Sequence, residues 1–339
     1  MSDLTGSAEP LSARYDVALL DLDGVVYLQE SPVPHAADAL AEARNRGMKL
    51  EFVTNNASRR PADVVALLEK VGVPADLDTV VTSAQAAASS LADRLGVGAE
   101  VLVVGTGALV ADIAEVGLTP VREASEKTAA VVQGYGRDVG WAALAEAAVA
   151  LGHGAIWVAT NADSTLPSPR GPLPGNGALV AAVATAIGRQ PDEIVGKPHP
   201  RLHAESIARS GAQRPLVVGD RLDTDIEGAN NAGTDSLLVL SGVTTAADLL
   251  AAEPKRRPTY VATDVRGLLV AHPATATDGN TFTCAGWTVR AQDRLELSGT
   301  GDPLDALRAL ATAAWTTSTT TITPSDPSAE SALTTLSLG

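Results

Sequence analysis

The sequence is short of several things. It has one cysteine, Cys284, and aromatic residues make up only 3% of it. A single cysteine excludes an intrachain disulfide and a multi-cysteine metal site, and it fits a reducing compartment. Positive charge is scarce too: 25 Lys and Arg stand against 40 Asp and Glu, for a formal net charge of −15. That balance argues against nucleic acid and anionic membrane as partners. It does not exclude a small anion, because one metal ion and one lysine can reverse the sign inside a pocket. No window approaches the ~18 uncharged apolar residues of a membrane span. The opening MSDLTGSAEPLSARYD lacks the apolar core of a signal peptide. A cytoplasmic protein is expected. The five histidines are scattered without metal-ligand spacing.

What is present is a repeated grammar of apolar runs and Ala-rich amphipathic stretches. This reads as α/β, a doubly wound and mainly parallel sheet. Val17–Leu20, within the stretch Val17–Leu22, is a continuous apolar run, as expected of a strand covered on both faces. The stretch ending at Gly47 and the one ending at Gly72, with Pro61 in its first turn, read as helices. KLEFVTNN and RPLVVGD read as further strands of the same sheet. Between them, residues 84–190 carry strands and helices of their own, enough for an inserted domain. The expected division is a core from 1–83 and 191–275, an inserted α/β cap over 84–190, and a small α+β appendage over 276–339. Within the appendage, TFTCAGWTVRAQDRLELSG alternates like a hairpin and DPLDALRALATAAW reads as a helix. The Ser- and Thr-rich remainder is expected to be partly disordered.

Four strand ends carry the polar chemistry. Asp21 and Asp23 follow the first apolar run, with Gly24 permitting a turn. Two acids so close repel each other unless something positive holds them. Thr54, Asn55 and Asn56 end the second strand, and a hydroxyl, amides and backbone N–H groups there can cradle a phosphate without adding charge. Lys197 lies between Gly196 and Pro198, where it can neutralise a phosphoryl oxygen. Asp220 follows the VVG run, with Asp223 and Asp225 close behind. Each segment alone has a plainer reading: solvated acids, an Asn-rich turn, a surface lysine, an acidic helix start. Together, at the carboxyl edge where open α/β sheets bind ligands, they describe a hard-cation site beside a phosphate pocket. Mg²⁺ fits, with carboxylates from Asp21 and Asp220, the Asp23 backbone carbonyl and a phosphate oxygen as ligands.

The tight set DLDGVVY, FVTNNAS, GKPHP and GDRLDTDI resembles the four motifs of the haloacid dehalogenase superfamily of phosphatases, over about residues 1–272. An insert between the second and third motifs resembles the type IIA capped subfamily. That subfamily includes phosphatases of 4-nitrophenyl phosphate, phosphoglycolate, pyridoxal phosphate, nucleotides and glycerol phosphate. The resemblance, strongest to glycerol 3-phosphate phosphatases, implies a Rossmann-like core and Mg²⁺-dependent phosphomonoester hydrolysis through an aspartyl-phosphate. It implies Asp21 as nucleophile and Asp23 as general acid and base. Thr54, Asn55, Asn56 and Lys197 are then phosphate-binding, Asp21, Asp23 and Asp220 metal-binding, and Asp225 a support behind them. Asn161, Asp163 and Arg170, in the polar stretch after AIWVAT, are candidate cap contacts to substrate, with Tyr135 behind them. Capped relatives often pair through the cap, so a homodimer is expected. The appendage resembles a small acetyltransferase-like regulatory domain. A protein that keeps the fold but only binds or regulates is the alternative, against which the intact Asp21 and Asp23 speak. The GxG at Gly105–Gly107 is a lone dinucleotide signal, and PGNG at Pro174 lacks the Lys-Ser/Thr of a P-loop.

Overall fold

In the computed structural model, which describes residues 4–29, 31–166 and 170–339, elements follow one another largely as the apolar runs predict. The first part contains β1 (Val17–Leu20), α1 (Ala36–Asn45), β2 (Lys49–Thr54) and α2 (Pro61–Lys70). Next come β3 (Val80–Thr82), α3 (Ser83–Ala92), β4 (Glu100–Val104), α4 (Gly107–Glu115), β5 (Thr119–Val121) and β6 (Thr128–Gln133). Then follow α5 (Trp141–Gly152), β7 (Ile156–Ala159), the short pair β8 (Thr165–Leu166) and β9 (Leu173–Pro174), α6 (Asn176–Ile187), β10 (Glu193–Ile194) and α7 (Pro200–Ser210). The chain continues with β11 (Pro215–Gly219), α8 (Glu227–Asn231), β12 (Asp235–Val239), α9 (Ala246–Leu250) and β13 (Tyr260–Ala262). The last part is β14 (Ala276–Asp278), β15 (Thr281–Cys284), β16 (Trp287–Ala291), β17 (Leu295–Gly299), α10 (Pro303–Thr317), β18 (Ile322–Pro324) and α11 (Pro327–Thr335). Among the described residues, no helix is long and apolar enough to cross a membrane.

The residues divide into two compact units: 1–52, 68–74 and 207–339 in one, 53–67 and 75–206 in the other. The first is built on the parallel run β13–β12–β11–β1–β2. All four residues of β1 are buried, which is what a continuous Val-Ala-Leu-Leu run requires at the centre of a sheet covered on both faces. The register pairs Leu20 with Val218 on one side and Phe52 on the other. Asp21 and Asp220 therefore leave neighbouring strands at one carboxyl edge.

The appendage belongs to this first unit. Its sheet runs β14–β15–β16–β17–β18, antiparallel except for the parallel β17–β18 pair. The expected hairpin is β15–β16, and it continues into β17. The expected disorder of the Ser/Thr-rich tail is corrected: it forms β18 and α11. Asp326 caps α11 by accepting the Ala329 N–H, and Ala329, Ala332 and Leu333 bury one face of that helix. One apolar cluster contains Phe282, Trp287 and Leu310 of the appendage together with Ile226, Leu238, Leu249 and Val261 of the sheet and its helices.

The second unit has a five-stranded parallel sheet, β10–β7–β6–β4–β5. Trp157 on β7 is fully buried and donates its indole N–H to Gln133 on the neighbouring β6. Helix α3 starts on a reciprocal cap: Thr82 accepts the Gln85 N–H and Gln85 accepts that of Thr82.

Candidate active site

In the first unit three carboxylates converge. Asp21, Asp220 and Asp225 each offer an oxygen, and these atoms all lie within 4.8 Å of one another. Asp21 follows β1 and is tied to the sheet by its N–H, which donates to Val218 O at 2.8 Å. Asp220 follows β11 and is 1% exposed; its Oδ2 accepts the Val243 N–H at 2.7 Å. Asp225, also 1% exposed, lies in a π-helical turn over Leu222–Ile226, where the Ile226 N–H reaches back five residues to Arg221 O. Its carboxylate accepts the Arg221 N–H at 3.2 Å, so the turn is closed on itself.

Glycine makes this convergence possible. A Cβ on Gly242 would stand 2.0 Å from Asp220 Oδ2, and one on Gly24 2.4 Å from the same atom. Gly24 also has φ +83°, a region costly for other residues. A Cβ on Gly219 would stand 2.2 Å from Asp225 Cβ. Backbone without side chains thus walls the buried carboxylates of Asp220 and Asp225. A donor set made only of oxygen, with this much negative charge, suits a hard divalent cation and excludes the thiolate or imidazole chemistry of softer metals. Asp23 is exposed and forms a bridge with Tyr27; its carboxylate is not part of the cluster. Asp225, expected behind the ligands, instead brings its carboxylate within the cluster.

The second unit gathers the uncharged loop and the lysine. Thr54 ends β2 and is 8% exposed. Its hydroxyl accepts the Asn56 N–H at 3.1 Å, which leaves the O–H proton to donate elsewhere. Asn56 is exposed, and its side-chain oxygen accepts both the backbone N–H and the hydroxyl of Ser58. Lys197 is buried, and its ammonium donates to Val53 O at 3.3 Å. Asn55 spans the two segments, accepting the Lys197 N–H at 2.8 Å and donating to Lys197 O at 3.0 Å. Asn161 donates to Asn55 O at 2.8 Å, and Asp163 accepts from the Asn55 amide at 3.3 Å. Of the expected cap contacts, two therefore meet the Thr54 loop directly. Arg170 is exposed in the turn between β8 and β9, Tyr135 is half-buried after β6, and His199 is exposed.

Several participants carry no signal in the sequence. Ser83 donates to Asn55 O at 2.6 Å, and Asn176, at the start of α6, donates to Asn161 O at 2.8 Å. His203 on α7 is fully buried with neither ring nitrogen hydrogen-bonded. Burial, and then the positive charge of Lys197, lower its pKa to about 3, so the ring is neutral.

Comparison with known proteins accounts for this arrangement. Residues 18–119 match the haloacid dehalogenase-like hydrolase family, and 194–268 match a second model of the same hydrolase type. Over 258 residues the chain is 52% identical to the D-glycerol 3-phosphate phosphatase of Mycobacterium tuberculosis, covering 76% of this chain and 72% of that protein.

The chain belongs to the haloacid dehalogenase-like hydrolases.

Other members agree with the assignment. A crystal structure of glycerol phosphate phosphatase from Mycobacterium tuberculosis in complex with magnesium superposes with a TM-score of 0.90 at 45% identity, covering 98% of this chain and all of that one. The acid sugar phosphatase of Staphylococcus haemolyticus is 35% identical over 249 residues, 73% of this chain and 92% of that protein. The expectations of an α/β haloacid dehalogenase-like fold and of a phosphatase are met. Residues 284–338 match a GCN5-related N-acetyltransferase-like domain, in line with the resemblance read in the appendage.

Proposed function

We propose that this haloacid dehalogenase-like hydrolase is a Mg²⁺-dependent phosphomonoesterase that releases glycerol and phosphate from glycerol 3-phosphate in the cytoplasm. The observation that carries the reading is the convergence of Asp21, Asp220 and Asp225 at the end of β1 and β11. The relatives named for glycerol phosphate supply the substrate. Mg²⁺ held by Asp21, Asp220 and the Asp23 carbonyl, with Asp225 beside them, supplies positive charge against the phosphoryl oxygens.

The protein's own groups do the rest. The Asp21 carboxylate attacks phosphorus in line and forms an aspartyl-phosphate, while the glycerol oxygen leaves. Asp23, outside the carboxylate cluster, gives that oxygen a proton and then takes one from the water that hydrolyses the acyl phosphate. The Thr54 hydroxyl donates to a phosphoryl oxygen, and Lys197 neutralises charge there. Residues 84–190 act as a cap on a core of 1–83 and 191–275, with Asn161, Asp163 and Arg170 at its substrate side. The appendage, 276–339, is structural or regulatory, and the cap face pairs two copies.

Phosphate release from a panel tests this reading. The panel holds glycerol 3-phosphate, 2-phosphoglycolate, 4-nitrophenyl phosphate, pyridoxal phosphate, a sugar phosphate and a nucleotide, each with Mg²⁺ and with chelator. Preference for glycerol 3-phosphate, lost on chelation, is expected. A preference for another monoester overturns the substrate, and activity indifferent to chelator overturns the metal. Asp21→Asn should abolish turnover in a folded protein; full turnover would remove Asp21 as nucleophile.

A further inference from the structure

We propose that Asn55 is a positioning residue for Lys197 and that its side chain is not a phosphate ligand. The inference rests on the role given to Lys197 under the proposed function. An asparagine side chain has two N–H donors and one acceptor oxygen. Here one donor goes to Lys197 O at 3.0 Å and the other to Asp163 Oδ1 at 3.3 Å. The oxygen accepts the Lys197 N–H at 2.8 Å. In this amide orientation the Asn55 side chain serves both Lys197 backbone groups. No side-chain donor is left for an anion, and a phosphate offers no proton to the remaining lone pair.

The bonds to Lys197 imitate a β-bridge. One side chain satisfies both backbone groups of one residue, fixing its position and rotation together. Gly196 is shaped to it: a Cβ there would lie 2.8 Å from Asn55 Oδ1 and 2.5 Å from Thr160 O. Asn55 is in turn held by its own carbonyl, which accepts from Ser83 at 2.6 Å and Asn161 at 2.8 Å. At the other end of the lysine, the ammonium donates to Val53 O at 3.3 Å. Val53 and Asn55 flank Thr54. The root and the tip of Lys197 are therefore tied to the two neighbours of the hydroxyl with which it is proposed to share a phosphate. Thr54 and Lys197 form one rigid pair of anion contacts, with their spacing set by Asn55. A lysine stem with four rotatable bonds has no such spacing by itself.

A double-mutant cycle tests this in the full chain, with 4-nitrophenyl phosphate and glycerol 3-phosphate as probes and Mg²⁺ saturating. Asn55→Ala should lower kcat about 10- to 100-fold, the loss expected of a misplaced charge-stabilising group. Lys197→Ala should lower it more. The double variant should be no slower than Lys197→Ala alone, because Asn55 then has nothing to position. Multiplied losses would show that Asn55 acts on substrate independently and would overturn the proposal, as would an unimpaired Asn55→Ala. Full activity in Lys197→Ala would instead overturn the role of the lysine. Asn55→Ser keeps a neutral hydroxyl that can accept the Lys197 N–H, puts no charge beside Asp163, and serves in the same cycle if the alanine variant melts early. Its loss should be smaller than that of Asn55→Ala, and it too should vanish in the Lys197→Ala background.

Discussion

His203 makes stability dependent on pH in a definite direction. The ring is fully buried, neither nitrogen has a partner, and its pKa falls from 6.5 to about 3, through burial first and the Lys197 charge second. In the unfolded chain the imidazole takes up a proton as pH drops through 6.5; in the folded chain it does not until about pH 3. The contribution is thus complete above pH 6.5 and is lost progressively as pH falls toward 3. Each unit of pH below 6.5 costs about 1.4 kcal/mol, so at pH 5 the loss is about 2 kcal/mol. Urea unfolding of wild type and His203→Gln from pH 8 to 5 isolates this group from the carboxylates common to both. Relative to the variant, wild type should lose about 2 kcal/mol between pH 7 and 5. A constant difference between the two proteins would show that His203 is not buried as a neutral ring.

Gly242→Ala should raise the Mg²⁺ concentration needed for half-maximal activity about 10- to 100-fold, because its Cβ would displace Asp220. Gly152→Ala, where a Cβ meets nothing within 4 Å, is the control. Equal metal titrations for the two variants would mean that the glycine cradle is not needed for metal binding. Arg308 is buried on α10, paired with Asp305 and donating to Val261 O at 2.8 Å. Arg308→Leu should cost about 3 to 5 kcal/mol by leaving Asp305 without its cation, and adding Asp305→Leu should recover much of that in chemical denaturation.

The sequence displays what depends on contiguous residues. Asp21 and Asp220 each end an unbroken apolar run, so both the strand and its functional end are visible in a single window. Asp225 is different: its carboxylate joins the others through a π-helical turn, a local irregularity that spacing does not announce. Asn55 looks like a phosphate-loop amide because of its neighbours, yet its side-chain partners lie 108 and 142 positions away. The Ser/Thr-rich tail looks disordered by composition. Ala329, Ala332 and Leu333 nevertheless fall on one helical face, and small residues suffice there because the surface they cover is already apolar. His203 offers nothing to find, since one histidine on an amphipathic helix has no distinguishing pattern.

The pairing of β1 with β11 has a consequence for how the protein is made. Val17–Leu20 takes its place beside Pro215–Val218, so the strand that carries Asp21 leaves the ribosome long before its neighbour exists. The sheet of the second unit lies wholly within residues 100–194 and can close while synthesis continues. The strand that leads to Asp21 waits with one edge exposed for almost two hundred residues. The cluster of Asp21, Asp220 and Asp225 therefore cannot assemble until residue 225 has been made, and a nascent chain truncated before residue 220 carries Asp21 without either of the other two carboxylates.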